Sequence, residues 1–368
     1  MHSGVSSSGM AKEIARIAAT VAVAGWHTTP RERNLTVWEE TLAALHYIPV
    51  AYSSASIDYQ LAYQRGHGGE WVDISMILYH DHRPCGVWPL SFSVKDHRPS
   101  LSSHGLPLLP PLFVKDLPER SRKSQIQNSL QVLERICAAG EVPDRSSAES
   151  FVDRAEAGSS EWHDQLMRAG ARATLRHELF VDLSLELDAI KAHFRKSYRS
   201  LITSGARVWQ VGHMTATDPP LWSEFRKLHL QVAGRMTRSA ESWDEQHRAI
   251  AAGHAFLVFL RDSDGKMVGG GFFNTTRDEG VYGVGAYDRA LFDKPLGHVV
   301  QYRAIELMKG RGLRWYKIGQ RPYASEQPPA TEKELSIAEF KHGFATHLFP
   351  QYVLHHDVKS TDTHRSGH

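Results

Sequence analysis

Residues 254–320 read HAFLVFLRDSDGKMVGGGFFNTTRDEGVYGVGAYDRALFDKPLGHVVQYRAIELMKGRGLRWYKIGQ, and this stretch decides the fold. An apolar run, His254 to Leu260, meets the polar turn Arg261-Asp262-Ser263-Asp264-Gly265-Lys266. A glycine-rich apolar run, Met267 to Phe273, follows. Asp-Gly between two apolar runs is a strong hairpin signal, because the turn needs residues that accept positive φ. Alternation predicts a strand over Val281 to Tyr287, a helix over Gly297 to Gly310 and a strand over Leu313 to Ile318. The class is α/β. The triplet Gly269-Gly270-Gly271 marks a β-bulge, a close approach by substrate backbone, or strand glycines packed on a helix.

Working outward, Leu179 to Leu183 reads as a strand that ends a first unit. Glu186 to Ser204 has Leu187, Ile190, Phe194, Tyr198 and Leu201 at helical spacing, with Gly205 placed as a C-cap. A strand is expected at Val208 to Val211, and helices at Leu221 to Arg235 and Ser242 to Ala252, the latter with Ser242 as N-cap. In the first half, short helices are expected at Thr36 to Leu45 and Asp58 to Arg65. Two apolar runs, Trp71 to Tyr79 and Cys85 to Val94, flank His80-Asp81-His82-Arg83-Pro84 as a hairpin would. Glu119 to Ala139 is helical, with Ile126, Leu130, Leu133 and Ile136 on one face. Both halves therefore offer a hairpin followed by a helix, which reads as a weak internal duplication. Gly140 to Ser160 is polar and reads as a linker or surface excursion. The divisions expected are a leader (1–30), a first unit (31–185), a second unit (186–358) and a tail (359–368).

The 368 residues suffice for two ordinary domains, and 41% hydrophobic with 23% charged is the balance of a globular protein. A net charge of +2 advertises no global field for nucleic acid or membrane. Cys85 and Cys137 stand far apart with no metal or redox spacing, which fits reduced thiols in the cytoplasm. Ile14 to Trp26 is alanine-rich and interrupted by Arg16, so it reads as a short helix or flexible leader rather than a secretory signal. No apolar run is long enough to span a membrane. His80-Asp81-His82 and His355-His356-Asp357 lack further ligands at recognisable spacing, so no metal is expected. Walker, Rossmann and nucleophile-elbow motifs are absent, which leaves NTPase and serine-hydrolase readings without residues.

Three features can carry chemistry. Lys191, Arg195, Lys196, Arg199 and Arg207 lie in a segment without acids, Ile190 to Arg207. Arg195, Lys196 and Arg199 could hold phosphates, since guanidinium groups bind phosphate oxygens bidentately; the same face also fits a solvated helix. Tyr282, Tyr287 and Trp315 either line a cleft between the central strands or fill the core. The segment from Ser102 to Pro111 is rich in glycine and proline, and forms either a rigid loop over a groove, with His104 touching substrate, or a scaffold loop.

The order hairpin, strand, helix, strand, closed by Glu339-Phe340-Lys341-His342-Gly343-Phe344, resembles the second half of a GNAT-type acyltransferase fold, and the FKHGF segment resembles FemAB/FemX relatives. The resemblance implies two tandem GNAT-like units facing a shared cleft. It implies a cytoplasmic N-acyltransferase of cell envelope biosynthesis. The acyl or aminoacyl group would pass to an amine of a glycan, peptidoglycan precursor or small metabolite. It places Lys341, with Phe340, at the acyl-transfer centre, and Lys341 would stabilise the charge that grows on the carbonyl oxygen. CoA-using members carry a Q/R-x-x-G-x-G/A turn for the pyrophosphate; here the sequence is GVGAYDRALFDKPLGHVVQ, and the turn is missing. That departure favours a non-CoA donor, a family member that binds CoA differently, or simply a longer surface loop. Since FemAB relatives take aminoacyl-tRNA, the resemblance implies an aminoacyl-tRNA or acyl-CoA co-substrate, with tRNA as a candidate partner and no tightly bound cofactor. Two alternatives remain: an acyl-CoA- or carrier-dependent N-acyltransferase of surface-sugar biosynthesis, and a non-catalytic GNAT-like binding module.

Overall fold

The computed structural model describes residues 26–150 and 159–357. The expected leader up to Gly25, the tail, and residues 151–158 of the expected linker lie outside them. In the first half, strands β1 (Thr28–Pro30), β3 (Met76–His80), β4 (Arg83–Trp88) and β7 (Leu112–Phe113) form a four-stranded sheet in the order β1-β3-β4-β7. Strands β2 (Glu70–Asp73), β5 (Ser91–Lys95) and β6 (Arg98–Ser102) form a second sheet. Helices α1 (Leu35–Ala43), α2 (Ser54–Gly66) and α3 (Glu119–Ala139) accompany them. Each arm of the expected hairpin is thus divided between two sheets, and the breaks fall at Ile74-Ser75 and Pro89-Leu90. The tetrapeptide Asp-His-Arg-Pro occurs at residues 81–84 and again at 96–99. Both copies turn with their Asp and His at positive φ (48° and 62°, then 50° and 61°), the geometry of a tight β-hairpin. The second copy makes the β5–β6 hairpin that the hydrophobic pattern did not reveal.

The second half is built on eight strands in the order β10-β11-β12-β13-β14-β9-β15-β8. These are β8 (Asp144–Glu149), β9 (Arg172–Asp182), β10 (Gln210–Met214), β11 (Ala255–Arg261), β12 (Met267–Thr275), β13 (Glu279–Tyr287), β14 (Trp315–Gln320) and β15 (His347–Asp357). Strand β8 corrects the reading of Gly140 to Ser160 as a linker: its polar residues pair with β15 along a sheet edge. Helices in chain order are α4 (Glu161–Arg168), α5 (Leu187–His193), α6 (Lys196–Val208), α7 (Pro219–Ala233), α8 (Ala240–Ala251), α9 (Leu296–Gly310) and α10 (Glu332–His342). Helices α5, α6 and α9 cover one face through Ile190, Tyr198, Ile202, Val300 and Ile305, and α7 and α8 cover the other through Phe225 and Ile250.

Two helix ends differ from expectation. The segment from Glu186 to Ser204 breaks at Phe194-Arg195, and Gly205 is no C-cap. It lies buried inside α6, where a Cβ would stand 2.4 Å from Val299 and 2.9 Å from Pro295, so glycine lets α6 and α9 approach. The N-cap of α8 is Ser239, whose hydroxyl accepts from the Ser242 N–H. The glycine triplet of β12 is likewise a packing device: Cβ atoms at Gly270 and Gly271 would meet Phe225 at 3.1 Å and Val300 at 2.8 Å, from opposite faces. The bulge lies on the partner strand, where Phe272 pairs with Val284 and Phe273 with Tyr282, leaving Gly283 as the extra residue.

Candidate active site

Strands β13 and β14 run parallel and pair only from Glu279 opposite Trp315 to Val281 opposite Lys317. Beyond that they part, and the β13 edge that faced β14 has no ladder partner among the described residues. Within this opening Gly283 and Gly285 of β13 are exposed. The parted strands make a V whose backbone can receive hydrogen bonds from outside the sheet.

Helix α10 delivers Lys341 to the V. Its first turn is held by a capping box between Thr331 and Glu334. Successive helical residues point about 100° apart, so Phe340 and Lys341 take different surroundings. Phe340 faces the core, against Tyr198, His298 and Phe344 at ring distances of 5.9, 5.1 and 5.4 Å. A Cβ at Gly297, in the first turn of α9, would stand 2.9 Å from its ring. Phe340 therefore clamps α10 to α9 and fixes where Lys341 begins. The Lys341 Nζ lies 5.5 Å from the centre of the Tyr282 ring. A Cβ at Gly319 would stand 2.7 Å from that nitrogen, so the space it occupies exists because residue 319 has no side chain. No carboxylate of the described residues pairs with Lys341, and burial lowers its pKa below the ordinary lysine value.

On the side of the parted strands the surroundings are aromatic and neutral. Tyr282 and Tyr287 share a hydrogen bond of 3.2 Å between their hydroxyls. The Tyr316 hydroxyl donates to Gln301 Oε1 from α9, and Phe273 lies 5.2 Å from Tyr282. Burial pushes the Tyr282, Tyr287 and Tyr316 phenols up, so they stay protonated at neutral pH. Lys341 also lines a cavity of about 400 Å³ with Arg176, Gln320, Glu326 and Ile337. Gly319, Tyr316 and Gln301 were missed in the sequence; the parallel strand after a helix was their one local signal.

The remaining expected site residues go elsewhere. Trp315 sits at the closed end of the V, packed against Phe180, His347 and Phe349 at 5.3–6.0 Å. Alternation along β14 turns it away from Tyr316. His104 is 2% exposed in the first half. Its Nε2 lies 3.1 Å from Asp73 Oδ1, and Asp73 also accepts from Arg31 at 2.8 Å. It is closed off from the surface, and its loop is pinned where Tyr52 and Trp88 donate to the Pro110 and Leu109 carbonyls, as a scaffold loop would be. Arg195 is not a free cation: its guanidinium pairs with the Glu339 carboxylate of α10 and lies 5.3 Å from the Tyr198 ring. Its backbone N–H donates to the Gly343 carbonyl at 2.9 Å. The basic helix and the FKHGF segment are thus one packed unit. Lys196 and Arg199 are exposed.

The segment after β13 holds its own amides. The N–H groups of Asp288, Leu291, Phe292, Lys294 and Leu296 donate to backbone carbonyls, and that of Ala290 donates to Asp288 Oδ1. Pro295 has none to give. Among the described residues, no group of His, Cys, Asp and Glu could hold a metal ion, and no helix is long and apolar enough to cross a membrane.

No protein-family model matches the sequence, and no curated protein matches it. Solved structures do. A crystal structure of FemX superposes with a TM-score of 0.63 at 13% identity, covering 89% of this chain and 96% of that one. L-PGS from Bacillus licheniformis gives 0.55 at 13% identity, covering 90% and 93%. The C-terminal domain of a protein described as a lysylphosphatidylglycerol synthetase, from Agrobacterium fabrum, gives 0.54 at 14% identity, covering 92% and 91%. The fold is FemX-like: α/β, with two tandem GNAT-like units.

Proposed function

We propose that the chain is an acyl or aminoacyl transferase of the FemAB-like kind, and that Lys341 is its catalytic cation. The observation that carries this is a half-buried ammonium group, with no ion-pair partner among the described residues, at the opening of two parted strands. Attack of an amine on an ester carbonyl places negative charge on the carbonyl oxygen. A fixed cation beside neutral phenols, partly withdrawn from water, stabilises that charge more than water would. The free backbone edge of β13 orients the donor carbonyl, which brings the reactants together. When the intermediate collapses, the carbon–oxygen bond of the donor ester breaks, the amide stays on the acceptor, and the proton lost by the amine ends on the leaving hydroxyl by way of water.

An aminoacyl ester of tRNA is the proposed donor, with the reaction in the cytoplasm. The support is chemical: the sequence after β13 lacks the glycine-rich pyrophosphate turn, and most amides of that segment are already bonded within the chain. Lys196 and Arg199 remain for phosphates; Arg195 braces α10 instead. The acceptor is an amine of a peptidoglycan precursor, glycan or small metabolite.

Incubating the protein and candidate amine acceptors with charged tRNA, with acetyl-CoA, or with neither, and following loss of the ester or thioester and formation of the amide, tests this. Turnover with charged tRNA is expected, and acetyl-CoA should give little thermal stabilisation even far above physiological levels. Tight, specific binding of CoA would replace the tRNA reading, and binding of no donor would make the chain a non-catalytic module. Gly319→Ala supplies a second check. Its methyl would stand 2.7 Å from Lys341 Nζ, at a position whose φ is +148°. Displacing the ammonium should lower kcat/KM by roughly 10–100-fold. Unchanged kcat/KM would detach Lys341 from the reaction.

A further inference from the structure

The cavity beside Lys341 holds two more charges that the fold does not use. Arg176, on β9, and Glu326, between β14 and α10, both line it. The Arg176 guanidinium makes no hydrogen bond or ion pair among the described residues. Glu326 receives no hydrogen bond either; its Oε1 is buried and unpartnered. The His177 Nδ1 stands 3.9 Å from that oxygen, beyond hydrogen-bond reach, and also lacks a partner. The His177 ring is held edge-on to Tyr323 at 5.1 Å and stands behind the carboxylate. The other acid on the wall, Glu334, is committed to its capping box, accepting from the Thr331 N–H and hydroxyl at 2.8 Å each. Partly buried charges of opposite sign in one cavity, the arginine unpaired and the carboxylate with only a histidine 3.9 Å away and no hydrogen bond, gain partners when a ligand supplies them.

We infer that this cavity recognises a small substrate end that carries an amine and an oxyanion on one skeleton, the oxyanion being a carboxylate or a phosphate. Arg176 takes the oxyanion in a bidentate contact. Glu326, backed by His177, takes the ammonium. The volume of about 400 Å³ suits a small-molecule end rather than a whole polymer. The assignment rests on the acyl-transfer reading only in naming the amine as the acceptor; the recognition itself does not require it.

Saturation-transfer NMR on the full chain tests this with glycine, 4-aminobutyrate and 6-aminohexanoate, beside butylamine and butyrate, which each lack one group. One amino acid is expected to bind about tenfold more tightly than either monofunctional compound, the scale of one charged hydrogen bond. Arg176→Gln should reduce it to the level of butylamine, and Glu326→Gln to that of butyrate, with unchanged thermal melts. A stronger response to 3-aminopropylphosphonate than to 4-aminobutyrate assigns the oxyanion as phosphate, and the reverse assigns it as carboxylate. If no bifunctional compound exceeds its monofunctional analogues, or if neither substitution changes its affinity, the inference is overturned. No acyl donor is present in this measurement. A negative result would leave transfer at Lys341 standing, and a failed transfer assay would leave a positive binding result standing.

Discussion

Lys341→Met is expected to lower turnover roughly 10²–10³-fold, the scale of losing one oxyanion-stabilising group, and to leave the melting temperature unchanged or higher. The two effects have one cause. Burial disfavours the charged form of Lys341 and lowers its pKa in the folded chain. Below that lowered pKa both folded and unfolded chains carry the proton, and the folded state bears the whole penalty of burying it. The penalty fades only as pH rises from the folded pKa toward the ordinary lysine value of about 10.5. At neutral pH a neutral side chain of similar length removes the penalty and removes the catalyst with it. The same sign predicts the wild-type rate profile: activity falls on the alkaline side earlier than an ordinary lysine would allow, as the ammonium loses its proton. A variant that loses activity together with several degrees of stability would mean that Lys341 is a structural residue.

Lys317→Met should act in the opposite sense, on stability first. Lys317, on β14, pairs with Glu178 on β9, and Glu178 is 1% exposed. Glu178 also accepts from Gln351 at 2.9 Å, and its second oxygen has no partner. Glu279 lies nearby, fully enclosed, accepting from the Val50 N–H at 2.6 Å and the Tyr47 hydroxyl at 3.3 Å. Burial alone would lower the Lys317 pKa, but Glu178 and Glu279 outweigh it and raise it. Removing the lysine strands a buried carboxylate, which costs about 3 kcal/mol at a site this enclosed. Thermal melts should show a fall of roughly 5 °C. Adding Glu178→Gln should recover most of it, because the stranded charge goes. A single variant that melts with the wild type would show that the pair contributes nothing.

Local pattern carried the hairpin at 254–275, the helix at Glu119–Ala139 and the strand–helix–strand order after it, because periodicity and turn chemistry act over a few residues. It failed where one residue type answers two demands. Gly205 looks like a helix stop, but it is the point where two helices touch. The run from Trp71 to Tyr79 reads as one strand, yet it serves two sheets, and apolar character does not say which sheet a residue joins. Partners distant in sequence were invisible. Arg195 lies in a segment without acids, but its acid, Glu339, comes from 144 residues away. The position of Lys341 was legible from its motif, whereas its emptied neighbour at Gly319 and its unpaired state depend on packing between α10 and β14. His104 shows the converse: a conspicuous polar residue in a conspicuous loop can be a buried strut.

The placement of β9 has a consequence for the order of assembly. This strand precedes the second unit in the chain, yet it lies between β14 and β15, with Leu175 opposite Tyr352 and Phe180 opposite both Lys317 and His347. A ribosome would release β8 and β9 long before either partner exists. Strand β8 has only its bridge to Leu108, and β9 has no ladder, until residues 315–357 have emerged, and only then can the sheet close. Such long-range pairing is slow and open to mispairing. The two halves therefore cannot mature one after the other as separate beads. They are stitched together late, by the same strands that build the cavity wall at Arg176.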